Sequence, residues 1–177
     1  MVKTVFLTGI PGVGKTTAIK RVVLALREKG LIVGGMVTSE VREKGRRIGF
    51  EIIDLLTGRK GFLATLHGSG PRLGKYVVNL RDLVEVGVNA IREALEKADV
   101  IVIDEVGPME LFSEEFKKAV KEALKSGKPL IGTIHYKARD PLIEAIKRNS
   151  NVKIFEVTLE NRNNLPETIT KALDISG

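Results

Sequence analysis

Eight residues near the amino end, Gly9-Ile10-Pro11-Gly12-Val13-Gly14-Lys15-Thr16, match the pattern GxxxxGK[ST] at every fixed position. The pattern constrains the fold because it works only between a strand and a helix. The apolar run Val5-Phe6-Leu7 stands before it, and a helical pattern over residues 15–29 follows. Glycines let such a loop curl until successive N–H groups face one anion, and the helix adds its positive dipole end. Lys15 would then reach the β and γ phosphates of a nucleoside triphosphate, and the Thr16 hydroxyl would ligate Mg²⁺. Thr17 completes the expected nucleotide-binding stretch.

Beyond the loop, apolar β-branched runs alternate with helical patterns. Residues 3–8, 31–38, 100–103, 129–134 and 152–157 read as strands of the kind buried in parallel sheets. Residues 82–97, 113–125, 140–149 and about 163–173 read as helices, with Asp82 and Glu85 fitting a capping box and Ser113 a second cap. The expectation is an α/β fold: a three-layer α/β/α sandwich on a mainly parallel sheet, its phosphate loop and other strand ends along one edge. Residues 40–66 break the alternation. Two short strand patterns, 48–55 and 61–66, flank the turn-like Leu56-Thr57-Gly58-Arg59-Lys60, which predicts an antiparallel β insertion. All 177 residues fit one domain.

Composition narrows the classes. No apolar run approaches the ~18 residues of a membrane span, and the chain reads straight into a strand, so neither a membrane protein nor a signal peptide is expected. There is no cysteine, which removes disulfides and thiolate chemistry. A cytoplasmic enzyme, a monomer or small homo-oligomer, is the default. The net charge of +7 could attract nucleic acid or a polyanionic nucleotide. Its lysines and arginines are interspersed with acids, as on solvated helix faces, and aromatics make up only 5%, so a nucleic-acid platform is not favoured.

The partner of a phosphate loop is an acid at the end of a buried strand, and Val100-Ile101-Val102-Ile103-Asp104-Glu105 supplies two. Asp104 would hold Mg²⁺ together with Thr16. Glu105 would orient and deprotonate a water for attack on the γ phosphate. Adjacent acids here mark the additional-strand class of phosphate-loop proteins, in which a further strand ends in a polar group near the γ phosphate. Residues 130–134, ending at Thr133 and His135, are the candidate. His135 could equally be a satisfied histidine at a strand end. Glu110, in the following loop, is either a second acid or a helix-entry carboxylate. Arg42, Arg46 and Arg47 cluster at the start of the insertion, where they would be either an arginine finger or a basic turn in water.

The blocks GIPGVGKTT (9–17), TSEVREKGRRIGF (38–50), GKYVVNL (74–80), IDEVGPMELF (103–112), GTIH (132–135) and ENRN (160–163) resemble, in order, the THEP-type nucleoside triphosphatases. The resemblance runs from Val5 to about Asn163. It implies a RecA-like phosphate-loop fold with an antiparallel insertion, and Mg²⁺-dependent hydrolysis of nucleoside triphosphates to diphosphates with broad base tolerance. It raises Arg42, Arg46 and Arg47 to expected catalytic residues beside Lys15 and Glu105. It makes Ile101, Val102, Ile103, Asp104, Glu105, Val106, Gly107 and Pro108 a second nucleotide-contacting stretch. Vertebrate members have lysine where Pro108 stands, so no charge role is carried over there. Asn161 and Arg162 would lie near the base, by analogy of fold.

Three other functions compete. A nucleotide or nucleoside kinase would need an arginine-rich lid, for which Lys137 and Arg139 are few. A GTP switch could use Asp104-Glu105-Val106-Gly107, but Asn161-Arg162-Asn163-Asn164 lacks the lysine and aspartate that read guanine. A nucleic-acid-stimulated ATPase rests on the charge alone.

Overall fold

Successive residues of the buried strands point to opposite sides of one sheet, and the sequence supplies apolar side chains on both. The structure, a computed structural model, describes residues 1–176. Its strands are β1 (Thr4–Thr8), β2 (Val33–Glu43), β3 (Arg46–Asp54), β4 (Lys60–Thr65), β5 (Arg72–Leu73), β6 (Tyr76–Val78), β7 (Val100–Val106), β8 (Leu130–Ile134) and β9 (Val152–Glu156). Val5, Leu7, Val100, Val102 and Ile131 face α1 (Lys15–Glu28) and α6 (Leu165–Ala172). Phe6, Ile101, Ile103 and Leu130 face α3 (Asn89–Lys97), α4 (Glu114–Lys125) and α5 (Pro141–Arg148). Three layers result, as the alternation predicts.

The strand order is β5-β6-β4-β3-β2-β7-β8-β1-β9. β2, β7, β8, β1 and β9 run parallel, and β8 separates β1 from β7, the arrangement expected of the additional-strand class. β2 serves two sheet regions. Val33–Met36 pair with β7 in parallel, whereas Met36–Glu43 pair with β3 antiparallel. The antiparallel section continues through β4 and β6 to Val78, beyond the expected limit of residue 66. Tyr76, Val77 and Val78 are all buried, and that burial recruits β6 to the sheet.

One expected cap is corrected. The helical stretch starts before Asp82, with α2 (Leu80–Asp82) leading into a π-helical turn (Leu83–Val88) and then α3. Asn79 is the N-cap, its side-chain oxygen accepting from the Asp82 N–H at 2.9 Å. Asp82 instead accepts from the Phe62 N–H of β4 at 2.8 Å, and Glu85 pairs with Arg81. Burying Leu83 draws the helix one turn earlier than the local pattern suggests. Ser113 caps α4 as expected, accepting from the Phe116 N–H at 3.1 Å.

Close strand packing depends on Gly35. Its φ is +111°, and a Cβ there would lie 2.0 Å from the carbonyl oxygen of Val102. Gly30, at φ +85°, has nothing within 4 Å of that position. Gly35→Ala should therefore cost at least about 3 kcal/mol, because overpacking adds to backbone strain. Gly30→Ala should cost about 1 kcal/mol, from strain alone. Urea unfolding of both variants checks this; equal losses would contradict it.

Candidate active site

The phosphate loop leaves β1 at Thr8 and enters α1 at Lys15. Gly9, Gly12 and Gly14 have φ of +152°, +78° and +115°, a backbone that L side chains rarely adopt. Gly9 has a second reason to lack a side chain: a Cβ would meet the Val157 carbonyl at 2.9 Å. Val13 is buried and anchors the loop, while Ile10, Pro11 and Gly12 stand exposed. The first turn of α1 carries no acid, so its N–H groups and dipole are free for an anion. Lys15 is buried, with Nζ donating to the Gly9 carbonyl at 3.2 Å. Thr16 and Thr17 follow on the same cavity wall.

Asp104 lies at the end of β7, where the register with β8 shifts between Ile103 and Val106. The carboxyl is buried to 1% exposure. The Thr133 hydroxyl donates to Oδ1 at 2.7 Å, while Oδ2 is buried with no partner among the described residues. Burial, partly offset by the Thr133 bond, and the nearby Glu105 charge push the carboxyl from its ordinary 3.8 up to about 6; Thr16 and Lys15 pull the other way. An orphaned carboxylate oxygen next to a threonine hydroxyl fits a hard cation that prefers oxygen ligands. Among the described residues no group of three or more acids or histidines forms a metal cage. That suits Mg²⁺, which takes one or two protein oxygens and completes its shell with phosphate and water.

Glu105 extends toward the loop, and its Oε2 lies 3.5 Å from Lys15 Nζ. Its carboxylate folds over Gly107, where an added Cβ would be 2.7 Å from Oε1. Glu110 lies deeper. Burial, and then the negative charge of Glu105, raise its carboxyl well above the ordinary range, which favours its protonated form. His135, just past the end of β8, also lines the cavity. Burial and the Lys15 charge lower its pKa, which keeps the ring neutral. Its Nδ1 accepts from the Lys137 N–H at 3.2 Å, placing the ring proton on Nε2.

Of the three arginines, Arg47 alone lines this cavity. Its Nε donates to the Tyr76 hydroxyl at 2.8 Å and a terminal nitrogen to Glu40 at 3.1 Å, while the guanidinium sits 5.1 Å from the Phe50 ring centre. Arg42 also pairs with Glu40, at 3.0 Å, but is exposed at the hairpin; Arg46 is exposed and does not line the cavity. Burial opposes ionisation of Glu40, yet the two arginines outweigh it and lower its pKa.

The second expected stretch divides. Ile101, Val102, Ile103 and Val106 are fully buried core residues; Asp104, Glu105 and Pro108 line the cavity, and Gly107 packs beneath Glu105. Asn161 serves its own loop, accepting from the Thr158 N–H and donating to the Glu156 carbonyl, both at 2.8 Å. Arg162 lies over the phosphate loop, 3.5 Å from the Val13 carbonyl. Leu63, Leu73 and Met109 of the cavity wall are functional-site residues that sequence reasoning missed. These apolar residues carry no signal separable from core positions.

A family model described as NTPase matches residues 4–170. Nucleoside-triphosphatase THEP1 of Thermofilum pendens is 49% identical over 173 residues, covering 97% of this chain and 95% of that one. The chain belongs to the THEP-type nucleoside triphosphatase family. The family member from Thermococcus kodakarensis is 48% identical over 170 residues, 92% of this chain and 89% of its own. Among solved structures, that of a human cancer-related nucleoside triphosphatase superposes with a TM-score of 0.84 at 39% identity, covering 99% of both chains. THEP1 from Aquifex aeolicus gives 0.82 at 32%, covering 97% of this chain and 99% of that one. The phosphate-loop fold with a mostly parallel sheet and antiparallel strands is thus shared by the family.

The raised pKa of Asp104 makes stability depend on pH. An acid whose pKa is higher when folded than its ordinary 3.8 holds its proton more tightly in the folded state. This stabilises the ligand-free protein fully below pH 3.8 and is lost as pH rises through about 6. The ionised carboxylate then costs on the order of 3 kcal/mol. Asp104→Asn should raise the melting temperature at pH 8 and much less at pH 5, measured calorimetrically. An equal shift at both would contradict the account.

Proposed function

We propose that the chain is a Mg²⁺-dependent phosphohydrolase that converts nucleoside triphosphate and water to diphosphate and phosphate, with little discrimination among bases. Hydrolysis of nucleoside triphosphates comes with the family. The finer reading is carried by one observation, the meeting of Lys15, Asp104 and Glu105 on one cavity wall. Lys15 would exchange its contact with Glu105 for the β and γ phosphates, and Glu105, so released, would take the proton of the attacking water. The Thr16 hydroxyl and Asp104 Oδ2 would hold Mg²⁺, which neutralises phosphate charge when bound. Arg47 is the hairpin arginine placed to offset charge on the γ phosphate, while Arg42 tethers Glu40 and Arg46 takes no part.

Broad base tolerance is supported by the loop after β9. The side-chain groups of Asn161 are spent on that loop, so a base there would meet the Arg162 stem rather than a donor–acceptor pattern. No described helix is long and apolar enough to cross a membrane. A cytoplasmic enzyme of one domain, a monomer or small homo-oligomer that turns over without nucleic acid, completes the proposal.

Glu105→Gln should keep MgATP binding, by calorimetry, while phosphate release falls by ~10²-fold or more. Near-normal turnover would falsify the role of Glu105. Chelation of divalent metal should abolish release from ATP, GTP, CTP and UTP alike, and restored Mg²⁺ should return rates within about tenfold of one another. A single active nucleotide would overturn the low specificity.

A further inference from the structure

From the phosphate loop the cavity extends in one direction. Its volume is about 550 Å³. From the phosphate loop it runs past His135 on the β8 side and Glu105 on the β7 side to Phe50 of β3 and Leu63 of β4. In the strand order this leads away from β9 and its Asn161–Arg162 loop, where the nucleoside end would lie. The added space therefore lies beyond the γ phosphate. A lytic water does not require apolar walls, yet Phe50, Leu63, Leu73 and Met109 line it. These walls are held firmly. Phe50 packs edge-on against buried Tyr76 with centroids 5.3 Å apart, and Leu63 is 2% exposed. At the rim stand polar groups: the Ser39 hydroxyl, the Glu40 carboxylate and Arg47, one of whose terminal nitrogens has no partner among the described residues. Apolar walls with a few fixed polar groups are the make-up of a small-molecule site.

Resting on the hydrolase reading, we propose that this annex binds a second substrate, a small molecule with an apolar ring or chain and a primary hydroxyl, and that the γ-phosphoryl group is transferred to that hydroxyl. The acceptor oxygen forms the new bond to the γ phosphorus. The bond from phosphorus to the β,γ-bridging oxygen breaks, and the diphosphate leaves with its electron pair. The hydroxyl proton passes to Glu105, which performs for the alcohol what it performs for water. The balance is NTP plus alcohol to NDP plus phosphate monoester plus one proton. Water fills the acceptor position when the annex is empty, and hydrolysis follows.

Benzyl alcohol is a suitable probe, because its ring matches the annex and its hydroxyl is primary. Phosphorus NMR of MgATP turnover resolves benzyl phosphate from inorganic phosphate. The expected ratio of the two exceeds the mole ratio of alcohol to water by about tenfold or more, the preference that burying a ring gives, and it saturates with alcohol. Leu73→Trp, which fills the annex, should return the ratio to the mole ratio. Only molecules that turn over contribute to this ratio, so a partly unfolded variant still reports. A wild-type ratio equal to the mole ratio at every concentration, or an unchanged ratio in Leu73→Trp, overturns the acceptor site and leaves hydrolysis standing. Absence of phosphate release in alcohol-free buffer overturns the hydrolase reading and the acceptor site with it.

Discussion

A carboxylate sealed at the end of β7, with one oxygen bonded and the other left bare, organises this molecule. Asp104 is 1% exposed; the Thr133 hydroxyl donates to one oxygen, and the other has no partner among the described residues. A fold tolerates such a group when a cation completes it or a proton neutralises it. The strand order provides for the first outcome, since β8 lies between β1 and β7 and carries Thr133 to one side of Asp104, with the phosphate loop beyond. Stability is given up at the position where the proposed function places the cation. Glu110, 3% exposed, is a second buried acid of the site, its carboxyl pushed up by burial and then by the Glu105 charge.

The contacts within the cavity hold in place the side chains to which the proposed function gives the chemistry. Lys15 rests between the Gly9 carbonyl and Glu105, so its own charge is paired. Glu105 is positioned by Lys15 and by the missing side chain at Gly107. Arg47, although 42% exposed, is held by Tyr76, Glu40 and the Phe50 ring. Each arrangement would reduce the reorganisation that the proposed chemistry requires.

Most of the layered fold was legible because it is written locally. The loop pattern, the alternating faces of β1 and β7 and the Ser113 cap each rest on residues close in sequence. The separation of three neighbouring arginines was not. Arg42 and Arg47 are cross-strand partners beside a bulge at Val41–Arg42, yet of the three arginines only Arg47 lines the cavity. Ile101, Val102 and Ile103, expected near nucleotide, are core residues, as their apolar character and strand position require. Asn79 displaced Asp82 as a cap because distant packing of Leu83 decided where the helix begins. The apolar annex left no trace in sequence, since its leucines look like any others.

Proton release on nucleotide binding tests the central role of Asp104 most directly. Magnesium with a non-hydrolysable ATP analogue would be titrated calorimetrically at pH 6 in two buffers of different ionisation enthalpy. With the carboxyl pushed up to about 6 in the ligand-free protein, the wild type should release about half a proton more than Asp104→Asn. Equal release from the two proteins would show that the bare oxygen is not where the cation binds.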